Sequence, residues 1–289
     1  MEGENVDSTD HLSPSSEKKC RESANSAAST RLRAAEAVLF PCAHHHRAVV
    51  LCTAAGKAAK KGRPAVMGGT VFWITCPHLN NVIARIERNG GVKAAAQVLS
   101  RQPTAMAKHF ASHVRYTERV KTLLTAQQWD FFLAHFVEPE KGSSRLFGNA
   151  AVSHADDVKC LHAWVAQALA RAANPIGEGI INLILFFHLL ISDYRKGVDS
   201  DDNDASLKHY MDSPIPLYDF LTQAFSQDTK SEREIEFTIG NEPKRVSYSW
   251  ISDPVVLEAL QIDLCQRCLD VYLFLEGRSP RVSSKRRLN

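Results

Sequence analysis

Three cysteines that lie far apart in the chain each stand at or near the predicted end of a strand or helix. Cys42 is followed by a run of histidines, Cys76 directly precedes a proline, and Cys160 lies two residues before a histidine. The first turn of a helix carries unpaired N–H groups and a partial positive charge, which favour the thiolate form that binds metals. If the three sulfurs meet, the segments that carry them must converge. The pattern therefore predicts one shared Cys/His site at the centre of the fold.

Zinc is the simplest ion for such a site, because three thiolates and one imidazole complete its tetrahedral shell. An iron–sulfur cluster with one free iron is the alternative cofactor. On a regular helix, Cys160 and His162 point about 200° apart, so both can bind one metal only if the helix begins between them. His45 and His162 are alternatives for the fourth position. The predicted metal ligands are Cys42, Cys76, Cys160 and His44.

Packing explains the other cysteines better than ligation does. Cys52 lies inside a predicted strand, and Cys20 lies in a polar N-terminal arm. Cys265 and Cys268 are three residues apart on a predicted leucine-rich helix. That spacing matches half of a Cys-x-x-Cys zinc motif, but no second half follows it. The pair is therefore predicted to pack in a helix interface.

The cysteine content and the N-terminus together predict a reducing compartment. The chain has 7 cysteines, and its first residues are acidic and lack an apolar segment, which predicts neither a secretory signal nor a mitochondrial presequence. Cysteines in a reducing compartment bind metals or react rather than form disulfides. We therefore expect a cytoplasmic protein.

Charge and hydropathy argue against two classes of partner. The formal net charge is only +3, which predicts no clear nucleic-acid surface. The longest apolar stretch, residues 180–191, is shorter than the roughly 20 residues that a transmembrane helix needs, so it predicts a core helix. A protein partner remains open, and the amphipathic C-terminal helix at residues 255–275 is the surface that it would use.

The apolar pattern predicts an α+β fold, in which a small antiparallel β-hairpin packs on a mostly α-helical body. β-Branched and aromatic residues predict strands at 47–53 and 70–75. In one long helix, Phe110 and Val114 are predicted to face the core, and His109 and His113 to lie on an exposed face. Helices are predicted near residues 31–39, 78–89, 92–100, 104–124, 126–136, 158–173, 180–195 and 255–275.

Four regions are predicted along the chain. They are a disordered N-terminal arm at 1–30, a Cys/His-site core domain at 31–195, a C-terminal helical extension with an acidic insertion at 196–276, and a basic tail at 277–289. The arm has almost no large apolar residues and cannot bury enough surface to fold. The acidic insertion, near residues 199–204, is predicted to be a solvated loop, since it lacks the glycine and the final glutamate of a calcium-binding loop.

Three segments also resemble a known family. Residues 70–79 are similar to the aromatic strand and Thr-Cys-Pro-x-Leu motif of the bacterial "domain of unknown function 501" family. Residues 158–177 are similar to its Val-Lys-Cys-Leu-His helix and Asn-Pro-x-Gly turn. The segment from Cys42 is similar to its opening Cys-x-x-Gly-x-Pro motif, with His45 and Arg47 in place of the glycine and proline. The resemblance covers about residues 38–180 and implies a related core, but no activity.

The resemblance also implies which residues form the site. They are Cys42, Cys76, Lys159, Cys160, His162, Asn174 and Gly177. Among these, Asn174 and Gly177 are the candidate cofactor-binding residues.

Three functions remain open at this point. A metal-dependent enzyme would use a zinc ion or cluster with an open position, and its candidate catalytic residues are Lys159, His162 and Arg119. An adaptor or assembly factor would use zinc only to hold its fold together. A metal-free enzyme would use Cys76 or Cys160 as a nucleophile, activated by His162 and a helix terminus.

Overall fold

The computed structural model of the chain describes residues 35–53, 67–137, 149, 152, 154, 156–197, 201–226, 232–239 and 242–277. Small antiparallel sheets lie against a mainly helical body, which confirms the predicted α+β class. The predicted N-terminal arm at 1–30 and the basic tail beyond residue 277 lie outside the described residues.

Three short strands form the N-terminal sheet. They are β1 (Ala37–Phe40), β2 (Val49–Leu51) and β3 (Phe72–Ile74), and they pair antiparallel in that order. The β2–β3 pairing confirms the predicted hairpin. The helix predicted near residues 31–39 is wrong in its described part, because β1 forms there instead. A helix that short is marginal in water, whereas β1 gains ladder hydrogen bonds to β2.

Three amphipathic helices follow the sheet at the predicted places. They are α1 (Pro77–Arg88), α2 (Gly91–Arg101) and α3 (Pro103–Leu123). Pro77 begins α1 at the position where the missing N–H of proline costs nothing. Leu79, Val82 and Ile83 then bury one face of this helix.

The two faces of α3 are the reverse of the prediction. Phe110 and Val114 are 46% and 45% exposed, while His109 and His113 are buried against Trp164 of the neighbouring helix. The same interface contains a buried hydrogen bond, in which Gln167 donates to the carbonyl of Ser112 at 2.9 Å.

The next helices surround the core. They are α4 (Ala126–Phe132), which continues into a π-helical turn at Leu133–Val137, then α5 (Leu161–Leu169) and α6 (Pro175–Gly197). Helix α5 was predicted to begin at residue 158. In the structure it begins at Leu161, because Cys160 has an extended backbone and is the N-cap. The helix thus begins between Cys160 and His162.

Helix α6 is the central core helix, as predicted. Its segment Pro175–Tyr194 is long and apolar enough to cross a membrane, which corrects the expectation that it is too short. However, 72% of the apolar window is buried inside the protein. Burial of this extent is the property of a core helix.

The C-terminal part differs most from the prediction. It contains α7 (Asp201–Asp212), α8 (Pro214–Phe225), the strands β4 (Glu232–Ile239) and β5 (Glu242–Ser249), α9 (Pro254–Ala259) and α10 (Leu264–Glu276). The acidic insertion begins a helix rather than a loop over its described residues. The β4–β5 hairpin was not predicted, and the single helix predicted at 255–275 is two helices, separated by Gln261 in the left-handed region.

The C-terminal elements share one hydrophobic core with the N-terminal ones. Helix α10 packs against α1 and α6, and α8 packs against α6 and α2. The apolar face of α10, which was the predicted surface for a protein partner, is covered by the chain itself. This packing brings the start of α10 to the start of α1.

Candidate metal sites

Three thiols from three separate elements meet beside the N-terminal sheet. Cys42 lies in the turn between β1 and β2, Cys76 is the N-cap of α1, and Cys265 is the second residue of α10. Their sulfur atoms all lie within 4.8 Å of one another. We call Cys42, Cys76, Cys265 and the adjacent His45 the buried cluster.

The distances in the buried cluster match those between ligands of one metal ion. The Cys42 and Cys76 sulfurs are 3.8 Å apart, and Nδ1 of His45 lies 3.5 Å from the first and 3.8 Å from the second. Tetrahedral zinc, with Zn–S near 2.3 Å and Zn–N near 2.0–2.1 Å, separates two sulfurs by about 3.8 Å and a sulfur from a nitrogen by about 3.6 Å. The positions of Cys42, Cys76 and His45 therefore suit three ligands of one zinc ion, and the sulfur of Cys265 lies within 4.8 Å of the other two sulfurs.

Local backbone structure explains why His45, rather than His44, faces the thiols. The amide of His46 donates to the carbonyl of Cys42 at 2.7 Å, and His46 takes a left-handed conformation that closes the turn. This turn directs Nδ1 of His45 at the sulfurs, while Nε2 of His44 lies 3.9 Å from a carboxylate oxygen of Asp263. The predicted ligand His44 is thus placed beside the cluster.

Helix termini favour negative charge on these sulfurs, whereas burial opposes it by raising the pKa of each thiol. Cys76 and Cys265 are 0% exposed and Cys42 is 3% exposed. Hydrogen bonds with Cys265 and Cys76 lower the pKa of Cys42, whereas the hydrogen bond with Cys42 raises the pKa of Cys265. The N-termini of α1 and α10 both begin here, and each supplies about half a positive charge.

Cys160 lies in a different place from the other two predicted thiols. It groups with His162 and with Glu87, near the end of α1, and the ligand atoms of these three residues also lie within 4.8 Å of one another. The structure thus groups Cys160 apart from Cys42 and Cys76, because α5 aligns beside α1 with its first residue near the far end of that helix. We call Glu87, Cys160 and His162 the open cluster.

Nδ1 of His162 is the centre of the open cluster. It lies 3.2 Å from Oε1 of Glu87 and 3.9 Å from the sulfur of Cys160. On the other side of the ring, Nε2 lies 3.0 Å from the backbone carbonyl oxygen of Asn80. Burial lowers the pKa of His162, but the hydrogen bonds with Cys160 and Glu87 outweigh it and raise the pKa to about 10.

A comparison with known protein families matches one region of the chain. The family model described as "Protein of unknown function (DUF501)" matches residues 38–182, which is half of the chain. The chain belongs to this family. No curated protein and no solved structure gives a significant match. The open cluster lies wholly within the DUF501 region, whereas the buried cluster takes Cys265 from outside it.

The predicted catalytic residues Lys159 and Arg119 are not members of the open cluster. Nζ of Lys159 forms an ion pair with Asp157 at 3.4 Å. Nε of Arg119 donates to the carbonyl of Ala170 at 2.8 Å, and Ala170 caps the C-terminus of α5. Arg119 is therefore at the opposite end of α5 from Cys160. The third predicted catalytic residue, His162, is in the cluster.

Packing accounts for the two residues that the resemblance implied for cofactor binding. The side-chain oxygen of Asn174 accepts from the amide of Gly177 at 2.6 Å, and its amide donates to the carbonyl of Trp164 at 2.9 Å. A Cβ at Gly177 would lie 2.4 Å from that same carbonyl oxygen. Within the DUF501 region, the Asn-Pro-x-Gly turn thus lets α5 and α6 approach closely.

Sequence reasoning missed two residues of the two clusters, Cys265 and Glu87. Cys265 had a signal, its Cys-x-x-Cys spacing, which was attributed to packing. His45 was kept as an alternative to His44, since only the turn geometry separates the two. Glu87 had no local signal, because a glutamate near a helix end is usually solvated.

Proposed function

We propose that this protein binds a structural zinc ion through Cys42, Cys76, Cys265 and His45. The observation that supports this most directly is the match between the sulfur–sulfur and sulfur–nitrogen distances and the edges of a zinc tetrahedron. Three thiolates and one imidazole leave a charge of −1 on the complex. The two helix N-termini that begin there offset it.

A closed, buried donor set supports a structural role over a catalytic one. Structural zinc sites have four protein ligands, whereas catalytic sites keep one position for water or substrate. The three thiols are almost fully buried. A sulfur pair 3.8 Å apart suits two ligands on one ion better than cysteines on different irons of a cluster. We therefore favour zinc over an iron–sulfur cluster here.

The ion would join parts of the chain that are distant in sequence. It would tie the β1–β2 turn and the start of α1, both inside the DUF501 region, to α10 near the C-terminus. The protein would then act as a scaffold whose C-terminal part is fixed on the family core by metal. Free cysteines, as all six described ones are, support a reducing compartment such as the cytoplasm.

Metal analysis of the full chain tests this proposal. The protein is purified without oxygen, its zinc and iron are measured, and its absorption spectrum is recorded. Cys265→Ala should lose one equivalent of zinc relative to the wild type. Cys268→Ala is the matched control, since Cys268 is equally buried on the same helix but is not one of the clustered donors. Its zinc content should be unchanged.

Two results would count against the proposal. Equal metal content in Cys265→Ala and the wild type would exclude the buried cluster as a metal site. A brown protein with bound iron would replace zinc by an iron–sulfur cluster. His45→Ala tests the fourth ligand separately, and it should weaken binding while leaving the three thiolates bound to cobalt as a zinc substitute.

A further inference from the structure

We infer that Glu87, Cys160 and His162 form a second zinc site, which is open to solvent and has a free coordination position. This inference does not rest on the buried cluster, since the two sites share no residue. The buried cluster would hold a structural ion, whereas this site would leave one position of the ion for an exchangeable ligand. The donors are one carboxylate, one thiolate and one imidazole, each of which is a common zinc ligand.

The separations between the donors fit one ion. The 3.2 Å between Glu87 Oε1 and His162 Nδ1 is close to the about 3.3 Å expected for oxygen and nitrogen ligands on tetrahedral zinc. The 3.9 Å between the Cys160 sulfur and Nδ1 is slightly longer than the about 3.6 Å expected. A small rotation of the Cys160 side chain closes this difference.

The hydrogen bond of His162 to Asn80 sets the imidazole for metal binding. The acceptor is a backbone carbonyl, so Nε2 must carry a proton and donate it. In the neutral ring, the lone pair is then on Nδ1, which is the nitrogen that faces the other two donors. Metal-binding histidines in proteins typically donate their remote N–H to a carbonyl or carboxylate in this way.

A second hydrogen bond orients the carboxylate. The amide of Leu161, in the first turn of α5, donates to Oε1 of Glu87 at 2.6 Å. Ligating carboxylates are themselves commonly hydrogen-bonded. The start of α5 thus positions all three donors, because Cys160 is its N-cap and His162 is its second residue.

Partial exposure leaves room for a fourth ligand from solvent. The side chains of His162 and Glu87 are 21% and 26% exposed, and Cys160 is half-buried. Three protein ligands plus water is the arrangement of catalytic zinc sites, in which the ion makes bound water more acidic. The open cluster would therefore accept water, or an oxygen atom of a substrate, at that position.

The same three side chains have an alternative state without metal. His162 would be protonated and paired with Glu87, and Cys160 would remain a free thiol beside the ring. Alkylation distinguishes the two states, because a thiolate bound to zinc reacts slowly. This gives a readout that does not depend on any enzymatic activity.

The test combines metal titration with alkylation on the full chain. Zinc or cobalt is added to protein that retains the metal of the buried cluster, and binding is followed by calorimetry and by the cobalt–thiolate absorption band. One further equivalent should bind to the wild type. Cys160→Ser should abolish the cobalt–thiolate band of this equivalent, and Glu87→Gln should weaken its binding at least tenfold. Zinc should slow alkylation of Cys160 by iodoacetamide at least tenfold.

The variants separate this inference from the proposed function. Suppose that the wild type binds one equivalent of zinc, which Cys265→Ala loses and Cys160→Ser retains. The open site is then refuted and the buried site stands. If the equivalent is instead lost in Cys160→Ser and retained in Cys265→Ala, the open site stands alone. Alkylation of Cys160 at an equal rate with and without zinc also refutes the open site. Lys159→Ala is the control for a neighbouring charge and should bind metal as the wild type does.

Discussion

The buried cluster around Cys42 and the open cluster around Cys160 use similar side chains at the starts of helices, but they differ in burial and in donor number. The first has three thiols and an imidazole, with its thiols excluded from water. The second has one thiol, one imidazole and one carboxylate, all partly exposed. The first arrangement is suited to holding a fold together, and the second to exchanging a ligand with solvent. The type of residue alone does not separate these roles, whereas burial and donor number do.

The largest difference between the clusters should appear in stability. With one equivalent of zinc bound, Cys265→Ser should lower the free energy of unfolding by on the order of 4 kcal/mol or more, because a structural metal is lost. Cys160→Ser should change it by less than about 1 kcal/mol, because its site is partly exposed. Urea unfolding followed by circular dichroism measures both. Equal losses of unfolding free energy in the two variants would contradict the assignment of a structural role to the buried cluster alone.

In the metal-free protein, the pKa values of one histidine from each region should be shifted in opposite directions. Burial, with His45 and His44 nearby, lowers the pKa of His78 to about 4, whereas the pKa of His162 is raised to about 10. The stabilisation linked to His78 is therefore present above about pH 6.5 and lost as the pH falls toward 4, and it is on the order of 3 kcal/mol. The stabilisation linked to His162 is present below about pH 6.5, and it is lost as the pH rises through 10.

Nuclear magnetic resonance of the imidazole carbons measures both pKa values directly. Unfolding free energies of His78→Gln and His162→Gln, at acidic and at alkaline pH, assign each loss to its residue. Titration of both rings near pH 6.5 would contradict the expected contrast.

The open cluster should depend on the close contact between α5 and α6, while the buried cluster should not. Gly177→Ala places a Cβ 2.4 Å from the carbonyl oxygen of Trp164, so it should cost about 1–3 kcal/mol of stability. Because α5 carries Cys160 and His162, the variant should also weaken metal binding there. Gly179→Ala is the matched control, because its nearest contacts are at 3.2 Å, and it should destabilise the protein less than Gly177→Ala does.

The smallest effect is expected at Lys159, which sequence reasoning proposed as catalytic. Its side chain is 45% exposed and forms an ion pair with Asp157. Exposed pairs contribute little, so Lys159→Ala should change stability by less than about 0.5 kcal/mol. Metal content at both clusters should also be unchanged. A loss of metal from the open cluster would show that Lys159 helps to position Cys160.

Local chemistry explains what could be predicted from the sequence. Proline after Cys76 and the apolar spacing behind it define the start and the buried face of α1, and β-branched residues define β2 and β3. These features act over a few residues, so they placed Cys76 at a helix N-terminus. The observed β2–β3 pairing, together with the direct run of β3 into α1, brings Cys42 close to Cys76.

Tertiary packing decided the features that no local signal contains. Helix α3 buries His109 and His113 and exposes Phe110, because Trp164 and Gln167 of α5 provide the surface on that side. The sequence by itself determined that Cys76 and Cys160 would stand at or near helix starts. Only the packing of α10 on α1, and of α5 beside it, decided which thiols meet, because the distance between ligands depends on how whole helices align.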